Sequence, residues 1–223
     1  MNNTSLLDIL NSLGQDYVLI KKWVDFPELI DGSDVDLLVI DLHHSSEKLQ
    51  SFFIKNLINQ KNFLRVIDNT NHVFLDYFEN NQFILRLDLI DNLDIFSKFS
   101  IQNALKIKIF MSRIKINIDG YSVFLPSNEF DLLIRYLEYL EWFQLRPDKI
   151  RHLEYILETA GESDIKMLTT NIHKYVRYNH QEWKNQFRND PKVFSSRKHA
   201  IEEIFRLSKF ILQQTIKKIS RFK

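Results

Sequence analysis

Cysteine is absent from this 223-residue chain, which excludes disulfides, zinc fingers, thiolate metal sites and cysteine nucleophiles, and fits a reducing cytoplasm. Glycine and proline are scarce, four of each, so dense secondary structure with short connections is expected. An excess of charge is missing too. Thirty Lys and Arg stand against 29 Asp and Glu, so no global field draws the chain to a nucleic acid, and a polymerase is the least favoured function. No stretch reaches the roughly 18 uninterrupted apolar residues of a membrane-spanning helix, and MNNTSLLDILNSLGQDY lacks the basic start and long apolar core of a signal peptide. A cytoplasmic location is the expectation. The seven histidines are scattered without zinc spacing. What is abundant is hydrophobic material, 44% of the chain, enough for a substantial core in no more than two modest domains.

Periodicity gives the order of elements. Leu6, Leu7, Ile9, Leu10 and Leu13 suit a short helix capped by Thr4 or Ser5 and ended by Gly14. A strand YVLIKKW follows, then a loop VDFPELIDGSD that delivers the chain into the apolar strand VDLLVI. Ser45 and Ser46 are expected to cap a helix running to about residue 60. The runs FLRVID, HVFLDYF and FILRLDLI, separated by polar turns, read as an antiparallel meander. Together these form an α+β domain, expected over residues 1–100 as a mixed sheet with flanking helices. Beyond it, KIKIFMSRIKINI and YSVFLP flank Asp119 and Gly120 as a hairpin. Helical runs near 127–143, 148–160, 163–187 and 196–222 complete a mainly helical second domain over 101–223.

The chemistry concentrates in GSDVDLLVI. Side chains alternate along a strand, so Asp34 and Asp36 project from one face, about 7 Å apart along the chain. Two carboxylates so placed can converge on one hard cation, or on a pair of cations that activates in-line attack at phosphorus. Magnesium, as two ions, is the expected metal. Asp88 is the candidate third acid because it interrupts the apolar strand FILRLDLI. Arg86 shares its face, and a carboxylate there needs either a metal or such a cation to offset burial. Asp88 is also the natural general base for an attacking hydroxyl.

These residues resemble the nucleotidyltransferase superfamily that includes DNA polymerase beta and the aminoglycoside nucleotidyltransferases. Gly32, Ser33, Asp34, Asp36 and Asp88 match its Gly-Ser element, its Asp-x-Asp strand and its later third Asp. YVLIKKWVDFPELIDGSDVDLLV is similar to uncharacterised bacterial nucleotidyltransferase-like proteins with a GxDxDLLV motif. The resemblance covers roughly residues 15–95 and is weaker beyond. It implies a transferase moving a nucleotidyl group from a nucleoside triphosphate to an acceptor hydroxyl on a sugar, small molecule or protein. Asp34, Asp36 and Asp88 would ligate metal, and Gly32, Ser33, Lys21, Lys22 and Arg86 would meet the donor nucleotide. In the family pattern Gly-Ser lies well ahead of the acid pair, at a helix start. Here it abuts Asp34, and Lys21 and Lys22 stand where that motif would begin, so they are expected to meet phosphate by charge.

Two other readings belong beside this one. A non-catalytic protein could keep the fold to bind a nucleotide or a partner, including an antitoxin-like member acting on a partner protein's hydroxyl. Residues 197–223 carry eight Lys or Arg against two Glu, with Ile201, Ile204, Phe205, Ile211 and Leu212 at helical spacing. Such a helix packs on its own domain or makes weak contact with an anionic membrane surface.

Overall fold

The computed structural model describes residues 5–178, apart from 24, 70, 143 and 144. The expected helix over 196–222 therefore lies outside the described residues. The chain divides into two units. The first holds residues up to 95 together with 106–127, and the second holds 96–105 and the residues from 128 onward.

The first unit is built on a five-stranded mixed sheet. Its strands are β1 (Tyr17–Leu19), β2 (Ser33–Val39), β3 (Asn62–Asn69), β4 (His72–Glu79) and β5 (Gln82–Ile90), in the order β1-β2-β5-β4-β3. β2 and β5 run parallel, and every other pairing is antiparallel. The parallel pair needs a long crossover. It contains α2 (Leu42–Asn56) and the β3–β4 hairpin.

One face of this sheet is the core. Val35, Leu37 and Val39 from β2, Leu85, Leu87 and Leu89 from β5, and Val73, Leu75 and Tyr77 from β4 pack with Leu6, Leu7, Ile9 and Leu10 of α1 (Leu6–Ser12) and with Leu49 and Phe53 of α2. Ser5 caps α1 in a reciprocal box: its hydroxyl accepts from the Asp8 amide, and the Asp8 carboxylate accepts from the Ser5 amide at 2.8 Å. Asp41, not Ser45 or Ser46, caps α2 by accepting from the His44 amide at 2.9 Å. The helix starts earlier than the serines suggested, and both serines are buried inside it.

The hairpin of β7 (Ile114–Ile118) and β8 (Tyr121–Leu125) also belongs to this unit. Asp119 and Gly120 both adopt positive φ, as a two-residue hairpin turn requires. The rings of Tyr17 and Phe124 meet edge to face at 5.8 Å, and the Tyr121 hydroxyl donates to Asp8 at 2.6 Å. Those contacts tie the hairpin to β1 and α1, so the division differs from a cut at residue 100. KIKIFMS, expected as the first arm of the hairpin, is instead helical in α3 (Ala104–Ser112). Its Lys-Ile alternation mimics a strand, but the buried residues are Leu105 and Ile109, four apart on one helix face, while Ile107 and Met111 are exposed.

In the second unit, α4 (Asn128–Trp142) packs with α5 (Ile150–Thr159) and α6 (Glu162–Tyr175). The sequence-expected helix over 163–187 stops at Tyr175. Val176–Tyr178 then forms β9, antiparallel to β6 (Phe99–Ile101). The buried Lys98 ammonium donates to the carbonyls of Leu140 and Glu141 at the end of α4. There it neutralises the negative end of the helix dipole. Among the described residues no helix is long and apolar enough to cross a membrane.

Candidate active site

The sheet face opposite α1 and α2 carries the polar residues, and strand register sets them in rows. Asp34, Arg86, Asp76 and Arg65 are consecutive partners across β2, β5, β4 and β3, a row of alternating charge. In the next row Asp36 of β2 lies beside Asp88 of β5. Neighbouring strands are about 4.8 Å apart. Two carboxylates held about 5 Å apart repel by about 3 kcal/mol at the effective dielectric of a protein surface. That row therefore needs a cation. In the structure the Lys21 ammonium supplies it, with Nζ 2.7 Å from Asp36, while the His72 imidazole contacts Asp88 through Nε2.

A β-bulge shapes this face. Leu85 pairs with Tyr77 but Phe83 pairs with Phe78, so Ile84 is the extra residue. Ile84 and Leu85 both enter the core, and the displaced Phe83 comes to the side of Arg86, whose guanidinium lies 5.9 Å from its ring and 4.8 Å from that of Phe74. Gly32, at φ 85°, donates its amide to Ile84 at 2.9 Å just before β2 begins. Lys21, also at positive φ, turns the chain out of β1 and brings its ammonium back to Asp36.

The four carboxylates differ sharply. Asp34 is exposed, Asp36 and Asp88 are partly buried, and Asp76 is fully buried. Burial, reinforced by the Asp36 carboxylate, pushes the Asp88 carboxyl above its usual range, against the pull of His72 and Lys21. Asp76 behaves oppositely. Arg86 donates to it from Nε at 2.6 Å and Nη2 at 3.0 Å, and Arg65 donates from Nε at 3.0 Å and from Nη2. These bonds, Arg86 foremost, hold the Asp76 carboxyl below its usual range. They also raise the Arg86 guanidinium's own value.

The sequence-selected residues thus come together in part. Asp34, Asp36, Asp88, Arg86 and Lys21 share one face. Ser33 is tied into its own loop, its hydroxyl accepting from the Ile30 amide at 3.1 Å, and Lys22 is exposed. Arg86, expected to offset Asp88, is bonded to Asp76 of the neighbouring strand instead. Sequence reasoning missed His72, Arg65 and Asp76. Asp76 carried the same signal as Asp88, an acid inside an apolar strand, HVFLDYF.

By donor type the aspartates suit a hard cation such as magnesium, which takes carboxylate oxygens. In arrangement, Lys21 and His72 hold two of them, and among the described residues no group of three or more His, Asp or Glu is placed to hold a metal ion. Cavities of 360 and 450 Å³ lie elsewhere, lined by residues such as Asn62 and Asn80, or Lys48 and Lys55.

No family model and no curated protein matches this chain. A crystal structure of an antigenic nucleotidyltransferase-like protein from Paracoccidioides brasiliensis is similar to it at 19% identity, over 84% of this chain and 86% of that one, with a TM-score of 0.44.

Proposed function

We propose that this protein is a magnesium-dependent nucleotidyltransferase that moves a nucleotidyl group from a nucleoside triphosphate to a hydroxyl on a sugar, small molecule or protein. The observation that supports this reading best is the in-register pair of Asp36 and Asp88 on parallel strands, with Asp34 two residues along the same face. Like charges in that position are costly unless a cation is meant to sit between them.

Asp34, Asp36 and Asp88 would hold magnesium, which neutralises charge on the donor phosphates when bound. Asp88, its carboxyl raised by burial, takes the proton of the acceptor hydroxyl. The acceptor oxygen bonds to the α-phosphorus as the bond to the leaving pyrophosphate breaks. Lys21, drawn off Asp36, and Arg86 meet phosphate oxygens by charge.

A second reading, a non-catalytic nucleotide- or partner-binding protein of this fold, is favoured by the Lys21–Asp36 ion pair and by the engagement of Ser33 within its loop. One assay separates the two. Purified protein is incubated with magnesium and each labelled nucleoside triphosphate, with and without acceptors, beside Asp34→Asn, Asp36→Asn and Asp88→Asn. Label transfer or pyrophosphate release that vanishes in all three variants supports the transferase. Nucleotide binding without either reaction supports the second reading.

A further inference from the structure

The Arg65 and Arg86 guanidiniums meet at one buried carboxylate, Asp76, with Asp34 the next acid along the row beside Arg86. Both guanidiniums bond the same oxygen, Asp76 Oδ2. Each uses its Nε and Nη2 edge for this. Nη1 of both is left with no hydrogen-bond partner among the described residues. The planes of the two forks are fixed as well: Arg65 lies 5.3 Å from the Phe78 ring, and Arg86 lies over Phe74. Cation–π contact and the bidentate bonds together remove the rotamer freedom that a long cationic side chain normally loses on binding. Arg65 is 53% exposed and Arg86 31%, so their outer edges reach water.

We infer that Arg65 and Arg86, clamped by Asp76, form a preorganised anion site on the sheet face beside Asp34, for the phosphate chain of a nucleoside triphosphate. Guanidinium forks match phosphate oxygens in geometry as well as charge. An anion at their outer edges lowers the repulsion between two guanidiniums that meet at the same carboxylate oxygen. The site deepens the transferase reading by naming what holds the donor's phosphates, in place of the backbone cradle that Ser33 does not offer. Its binding step needs neither metal nor catalysis.

The test is titration calorimetry on the full chain in excess EDTA, with inorganic tripolyphosphate, a nucleoside triphosphate and the matching nucleoside. Tripolyphosphate and the triphosphate should bind and the nucleoside should not, with affinity falling as salt rises. Arg65→Met leaves Asp76 bonded to Arg86, so the fold is retained, and binding should weaken tenfold or more. Arg86→Lys, which keeps the charge but loses the fork, should weaken it similarly. Lys61→Met, an exposed cation outside the site, should change nothing. Absence of tripolyphosphate binding in the wild type overturns the proposal, as does equal loss in Lys61→Met or unchanged affinity in a folded Arg65→Met. Phosphate binding without nucleotidyl transfer under magnesium supports the clamp and sinks the transferase reading alone. Transfer with an unaltered donor KM in Arg65→Met sinks the clamp alone.

Discussion

Replacing Asp76 by Asn perturbs the centre of the charged row with almost no change of volume. Removing one partner from a buried ion pair costs roughly 3–5 kcal/mol, because the other charge is left uncompensated. Here the stranded charges are guanidiniums 31% and 53% exposed, which water can rehydrate, and the Asn carbonyl still accepts one hydrogen bond. The expected loss is therefore about 2–3 kcal/mol. In a chain of this length that lowers the melting temperature of the first unit by about 5–10 °C.

The pH dependence supplies a second check. The folded Asp76 carboxyl is held below its ordinary value, so the unfolded chain binds the proton first as pH falls. The stabilisation is complete above the unfolded value near 3.9 and is lost as pH drops through the folded one. Thermal melts of wild type and Asp76→Asn should differ by a constant amount from pH 5 to 7 and converge below about pH 4. A difference under about 0.5 kcal/mol at pH 7, in the range of an ordinary surface substitution, or a gap that widens in acid, refutes the reasoning.

Gly32→Ala places a Cβ 3.8 Å from Phe83, ordinary contact, but at φ 85°; the backbone strain alone should cost about 1–2 kcal/mol in urea unfolding, and a loss of a few tenths counts against it. Tyr121→Phe removes the main influence holding the Asp8 carboxyl low, so NMR titration should find that carboxyl shifted up towards its ordinary value; an unmoved midpoint contradicts the hydrogen bond. Lys98→Met strips the buried cation from the end of α4, and the second unit should lose about 2 kcal/mol by thermal melting; an unchanged melt would mean that water replaces the ammonium there.

Much of the first unit was legible because its strands obey simple alternation and its turns carry the right residues. Asp119-Gly120 marked one hairpin, and Asn80 and Asn81, both at positive φ, turn β4 into β5. α3 was not legible, since Lys-Ile-Lys-Ile satisfies the strand period while only the buried pair Leu105 and Ile109 reveals the helical one. β6 and β9 are three residues each and far apart in sequence, too little pattern to read locally. In the site, Asp34 and Asp36 followed from spacing on one strand and Asp88 from its apolar surroundings. Which side chain serves which acid depends on register between strands. His72 reaches Asp88 and Arg86 reaches Asp76 across pairings that no single segment encodes.

The extra residue at Ile84 gives β5 two phases. Ahead of it the strand is locked to the Asn80–Asn81 turn, and beyond it Arg86 and Asp88 keep step with β2. A length change in the turn can be absorbed at that joint, whereas deleting Ile84 itself would leave Phe83 outward and Leu85 inward in simple alternation, at the loss of one core side chain and of the carbonyl that accepts from the Gly32 amide. A residue with no polar atom in its side chain thus serves this face through its backbone, by anchoring the turn that launches Asp34 and Asp36.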